Sequence, residues 1–119
     1  MKINQFILTL NSDQPEQMIG FYRDIVGLAP NLDFDEPGVF MAGTTVFIVE
    51  GHSEVRGKTK EPQRVLLNFS VDDVLTEQRR LEGQGVKFSR SAAQEPGVGI
   101  FATFSDPDGN YCQLVQFDS

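Results

Sequence analysis

The sequence predicts an α+β fold built from two tandem βαβββ modules, and three observations lead there. The tetrapeptide Glu-Pro-Gly-Val occurs at residues 36–39 and again at 95–98, an offset of 59 (95 minus 36). Under the same shift Asp13 falls on Asp72, and the alternating Phe6, Leu8 and Leu10 fall on Val65, Leu67 and Phe69. Each half also holds one run with helical spacing among several that alternate as strands. A unit of about 60 residues buries too little surface to be comfortable alone. Two copies are therefore expected to stabilise each other within a single domain of 119 residues.

The first module is taken as residues 1–50. Residues 3–10 alternate as a strand, with Phe6, Leu8 and Leu10 on one side and Gln5, Ile7 and Thr9 on the other. Asp13, followed by Pro15 and Glu16, reads as a helix start in which side chains cap the free amides. Met18, Phe21, Tyr22 and Ile25 recur at spacings of three and four, an apolar stripe that Gly27 ends with a left-handed cap. Strands follow at 29–34, 39–42 and 45–50, with Gly38 and Gly43 as punctuation. Residues 51–63 are polar and charged and form the expected linker.

The second module, residues 64–119, repeats the order. A strand at 64–71 leads to a helix capped by Asp72 and running to Glu82, and strands at 86–90, 98–105 and 111–117 follow. Between the last two, Asp106-Pro107-Asp108-Gly109-Asn110 combines the fixed φ of proline with the positive φ open to glycine, which predicts a tight turn.

Composition narrows the function. A formal net charge of −7 opposes binding to a polyanion, so nucleic acid is not an expected partner. No apolar run approaches the roughly 18 residues of a membrane span. The amino-terminal stretch, interrupted by Asn4 and Gln5, reads as a strand rather than a signal peptide. The single cysteine, Cys112, excludes an internal disulfide and fits a reducing compartment, so a cytoplasmic protein with no membrane partner is expected.

One helix covers only one face of a four-stranded sheet, so the other face of each module is expected to line a ligand cleft between the modules. Gln5, Ile7 and Thr9 would line it from the first strand, and Arg64, Leu66, Asn68 and Ser70 from the fifth. Tyr111 shares a face with Gln113 and adds a ring and a hydroxyl. The fourth strand admits two phases, one presenting Phe47 and Val49 and the other Ile48 and Glu50; the first adds Phe47 to the lining. Cys112 alternates to the helix side with Leu114 and reads as a small buried hydrophobe. The lone His52 lies in the linker and reads as incidental rather than as a ligand.

Three segments now carry a resemblance over almost the whole chain: Phe21-Tyr22-Arg23-Asp24-Ile25-Val26-Gly27-Leu28, Ser70-Val71-Asp72, and Asp106-Pro107-Asp108-Gly109-Asn110. With them the chain resembles the vicinal oxygen chelate superfamily, which includes glyoxalase I, extradiol dioxygenases, fosfomycin resistance enzymes and bleomycin resistance proteins. The resemblance implies the tandem βαβββ fold, pairing into homodimers, and, in metal-dependent members, four ligands from the first and last strands of the two halves. Those positions fall on Gln5, Leu66, Gln113 and, in one phase, Glu50. Leu66 has no donor atom, and two neutral amides with one carboxylate make a poor site for zinc, nickel, manganese or iron.

Three readings follow. The expected one is a metal-free, cofactor-free binding protein of the bleomycin resistance type that sequesters a small cationic or aromatic molecule. The second is a metal-dependent lyase, isomerase or dioxygenase using Gln5, Glu50 and Gln113. The third is a metal-free acid–base enzyme, although no spacing marks a catalytic pair, so no catalytic residue is assigned.

Overall fold

The computed structural model describes residues 1–119. The chain divides into two compact units, Met1–Gly57 and Lys58–Ser119, and the division falls inside the expected linker. No helix is long and apolar enough to cross a membrane.

The first unit holds strand β1 (Ile7–Ser12), helix α1 (Pro15–Gly20), and strands β2 (Ala29–Pro30), β3 (Val39–Ala42) and β4 (Thr45–Gly51). Its sheet has the order β1-β4-β3-β2, with β1 parallel to β4 and the other pairs antiparallel. Helix α1 continues into a π-helical turn, Phe21–Val26, that ends at Gly27 with φ 87°. The left-handed cap is thus where the sequence places it. Below this helix Tyr22 lies 4.9 Å from the Phe47 ring, and Met18, Phe40 and Val49 are buried with them.

The second unit repeats the plan with β5 (Leu66–Ser70), α2 (Val74–Gly83), β6 (Phe88–Glu95), β7 (Gly99–Ser105) and β8 (Tyr111–Phe117), in the order β5-β8-β7-β6. Leu67, Phe104, Cys112 and Leu114 are buried, as are Val74 and Leu81 of α2. The turn from β7 to β8 is wound about Asp106, whose Oδ1 accepts the backbone N–H groups of Asp108 and Asn110, both at 2.9 Å.

The repeated tetrapeptide makes the same contact twice. The Val39 N–H donates to the Glu36 carbonyl at 3.4 Å, and the Val98 N–H to the Glu95 carbonyl at 3.0 Å. Each turn delivers the chain to the third strand of its unit at a glycine that meets the neighbouring strand closely. A Cβ on Gly38 would lie 2.2 Å from the Val49 carbonyl oxygen, and one on Gly99 2.2 Å from that of Gln116.

Several boundaries differ from the sequence expectation. The first strand begins at Ile7, not at residue 3, and Phe6 is exposed. Asp13 does not cap α1: its Oδ2 accepts the Gly57 N–H at 2.9 Å, while Ser12 Oγ accepts the Gln14 N–H. In the second unit the cap is Asp73 rather than Asp72, its Oδ1 accepting the Thr76 N–H at 3.2 Å. Adjacent carboxylates offer the same chemistry, and the backbone leaves the extended region only after Asp73. The second strand shrinks to Ala29–Pro30: the Asn31 N–H still donates to the Val39 carbonyl at 2.9 Å, but the Val39 N–H turns back to the Glu36 carbonyl, and the ladder ends there. Strand β6 begins at Phe88 and runs on to Glu95, past its expected end at residue 90.

Replacing Gly38 or Gly99 by Ala is expected to lower stability by about 2 kcal/mol or more, since the added methyl group forces backbone apart; urea unfolding midpoints check this. The hydrogen bonds from Thr76 hold the Asp73 carboxyl below its ordinary value of 3.8. A depressed carboxylate contributes stability that is present above pH 3.8 and is lost as pH falls through the lower folded value. The stability gap between the wild type and Asp73→Asn is therefore expected to narrow on acidification below that pH, measured by denaturant melts across the acid range.

Candidate functional site

Strand pairing fixes which side chains share a face. In the second unit Asn68 lies opposite Gln113, Gln113 opposite Thr103, and Thr103 opposite Arg90. These four residues form one polar row across all four strands, β5-β8-β7-β6. The row lies on the face away from α2, because Cys112 and Leu114, which flank Gln113, alternate to the buried helix side. Tyr111 stands beside the row with Leu66 and Ser105, and Phe101 stands on its other side with Val115 and Ser70.

Gln113 donates one amide hydrogen from Nε2 to Thr103 Oγ1 at 3.3 Å. The bond orients the Gln113 amide, leaving its carbonyl oxygen and second hydrogen for another partner. Thr103 is buried and Asn68 is exposed, so the row offers amide donors and acceptors at graded depth. At its far end Arg90 forms an ion pair with Glu95.

Arg90 reaches this face through an irregularity in β6. Phe88 packs toward α2, its ring 5.3 Å from Phe104. Simple alternation would put Arg90 on that same side. The register shifts between Phe88 and Arg90 and again between Arg90 and Ala93, so that Arg90 pairs with Thr103 instead. An extra residue in one strand re-aims the side chains around it. Helix α2 holds this irregularity in place: the buried Gln78 accepts the Ala92 N–H through Oε1 at 2.7 Å. A backbone group that the ladder leaves unpaired is thereby satisfied from the opposite side of the sheet.

The first unit fills the equivalent positions differently. There Thr9 lies opposite Ile48, and Ile48 opposite Val39. Ile7 pairs with Val46, and Val46 with Met41, making an apolar neighbourhood in which Glu50, opposite Asn11, is the charged member. The fold thus accepts aliphatic residues where the second unit has Gln113 and Thr103. The polar row is not a requirement of the architecture.

The sequence-expected lining divides accordingly. Ile7 and Thr9 lie on the helix-free face of the first sheet, and Leu66, Asn68, Tyr111 and Gln113 on that of the second. Phe47 does not: it shares a face with Leu8 and packs on Tyr22, so the fourth strand takes the phase that presents Ile48 and Glu50. Gln5 is exposed and precedes β1. Arg64 precedes β5 and is paired with Glu61 at 2.9 Å, both side chains exposed. His52 Nδ1 accepts the Glu54 N–H at 3.1 Å, in a local turn. Cys112 is fully buried on the helix side of β8. Arg90, Thr103 and Phe101 escaped the sequence reading; for Thr103 the signal was present, since it alternates with Ala102 and Phe104.

The donor chemistry does not fit a divalent cation. Leu66 offers no donor, Gln5 and Gln113 are neutral amides, and Glu50 alone brings charge. No group of three or more His, Cys, Asp or Glu side chains is placed so that it could hold a metal ion.

The model of the family described as Glyoxalase/Bleomycin resistance protein/Dioxygenase superfamily matches residues 2–114. The chain belongs to that superfamily. Among solved structures this superfamily member is similar to TnmS3, an antibiotic binding protein from Streptomyces sp. CB03234, with 26% identity, 99% of each chain covered and a TM-score of 0.74. It shares its fold with a superfamily member from Sphaerobacter thermophilus DSM 20745 at 20% identity, with 98% of each chain covered and a TM-score of 0.75. It shares it also with a lactoylglutathione lyase from Agrobacterium tumefaciens at 20% identity, covering 97% of this chain and 94% of that one, with a TM-score of 0.72. No curated protein matches the chain.

Replacing Gln78 by Leu removes the acceptor that holds the β6 irregularity. The expected result is a stability loss of about 1 kcal/mol or more and faster hydrogen exchange at the Ala92 amide, read by amide exchange in the folded protein.

Proposed function

We propose that this superfamily member is a small-molecule-binding protein that sequesters an aromatic or cationic ligand on the helix-free faces of its sheets, without a metal or other cofactor and without chemistry. The observation that carries this reading is the polar row Asn68, Gln113, Thr103 and Arg90 between aromatic neighbours, set where the duplicated half has Thr9, Ile48 and Val39. A ring can lie on the apolar and aromatic flanks, Phe101 and Tyr111, while the amides of Asn68 and Gln113 fix its polar substituents. The bond from Gln113 to Thr103 orders one amide before the ligand arrives and so lowers the entropic cost of binding. The net charge of −7 raises the local concentration of cations. The likeness to an antibiotic binding protein supports the same reading.

The metal-dependent alternative would need Gln5, Glu50 and Gln113 as ligands, a set with one charge among three residues. Pairing of two copies belongs to the proposal as well; the edge positions of β1 and β5, each with one neighbouring strand, support it.

Metal analysis of protein purified without chelator, followed by thermal melts with aromatic and cationic compounds, tests the proposal. The expected result is no stoichiometric metal and a ligand-induced rise in Tm that chelator leaves unchanged. At a ligand concentration of 100 times Kd the stabilisation amounts to about 2.7 kcal/mol. One equivalent of zinc, nickel, manganese or iron, with a fall in Tm on its removal, would point to the lyase or dioxygenase reading instead.

A further inference from the structure

Resting on the proposed ligand face, we infer that Glu95 sets its charge selectivity: by holding Arg90 in an ion pair along β6, it closes the cation of the polar row to anionic ligands.

Three observations converge on this. Arg90 is turned onto the helix-free face by the shift in β6 and stands opposite Thr103, which bonds to Gln113. A guanidinium at that position is suited to a carboxylate, phosphate or sulfonate on a ligand. Glu95 pairs with Gly99 on the same strand ladder, and Ala93, opposite Phe101, is the small residue between them on this face. Arg90 donates from Nη2 to Glu95 Oε1 across that gap. An anionic ligand must therefore displace Glu95 and then sit beside its freed charge, whereas a neutral ligand meets only amides and a hydroxyl.

Stability does not explain the pair. Its side chains are 40% and 44% exposed, and ion pairs so open to water contribute little to folding. Nor does the turn require the acid. Glu95 opens the second Glu-Pro-Gly-Val, and in the first copy Glu36 makes the same backbone turn while exposed to solvent. The turn uses only the glutamate carbonyl. What the second copy adds is a carboxylate at the end of β6 that accepts a hydrogen bond from Arg90.

Two dyes that differ by one charged group test the inference: neutral N-phenyl-1-naphthylamine and anionic 1-anilinonaphthalene-8-sulfonate, titrated by fluorescence against the full chain. The wild type is expected to prefer the neutral dye. In Glu95→Gln, which keeps the side chain's size, the ratio of anionic to neutral affinity is expected to rise roughly tenfold, as for an unmasked charge-assisted contact. Adding Arg90→Gln to that variant is expected to return the ratio to the wild-type value, an effect that a general loosening of β6 would not produce. An unchanged ratio in Glu95→Gln while the neutral dye still binds would overturn the inference and leave the ligand face standing. Failure of both dyes to bind every variant would remove the ligand face itself, and the inference with it.

Discussion

A single helix cannot shield both faces of a four-stranded sheet, and each half of this chain has only one helix to offer. In the second unit α2, ten residues long, buries Val74, Gln78 and Leu81 against Phe104, Cys112 and Leu114. Most of the apolar burial falls on that side, while the other face buries Val115 and Thr103 and leaves Asn68 exposed. With fewer apolar positions to fill, that face can carry polar side chains whose composition is set by what it binds. The placement of Asn68, Gln113, Thr103 and Arg90 across that second face depends on this division of labour.

Duplication supplies an internal comparison for every position. Both halves use Glu-Pro-Gly-Val as the same turn, and at the entry to each third strand a glycine lies close to a neighbouring carbonyl, Gly38 inside the tetrapeptide and Gly99 just after it. These shared features belong to the fold. The features that differ are the aliphatic Ile48 and Val39 against the polar Gln113 and Thr103, and the exposed Glu36 against the paired Glu95. Two copies of one architecture with one modified face are what a binding site added to a scaffold looks like physically. Helix α2 takes part from behind the sheet, since Gln78 holds the backbone irregularity that turns Arg90 toward the polar row.

Much of this could be read from letters alone where alternation is strict. Leu67 and Phe69 against Leu66 and Asn68, and Cys112 and Leu114 against Tyr111 and Gln113, separate cleanly by side. Strand β4 could not be phased this way, because Val46, Phe47, Ile48 and Val49 are all apolar; only the pairing with β1 decides that Phe47 goes to the helix. In β6 the run Ser89-Arg90-Ser91-Ala92-Ala93-Gln94 has no apolar alternation and looks like a loop, and its shifted register depends on the distant Gln78. The capping carboxylates failed for a related reason. Asp72 and Asp73 are chemically alike, and Asp13 is drawn to Gly57, 44 residues away. Local patterns report periodicity, whereas bulges and caps are settled by partners far along the chain.

The most direct measurement is an NMR titration of the full chain with a soluble neutral aromatic such as 2-naphthol, following the side-chain amide signals of Asn68 and Gln113. Saturable shifts of those two resonances, accompanied by the backbone amides of Thr103 and Arg90, are the outcome this account requires. Shifts confined to the linker or to α1, with the amides of β5 and β8 unmoved, would contradict it.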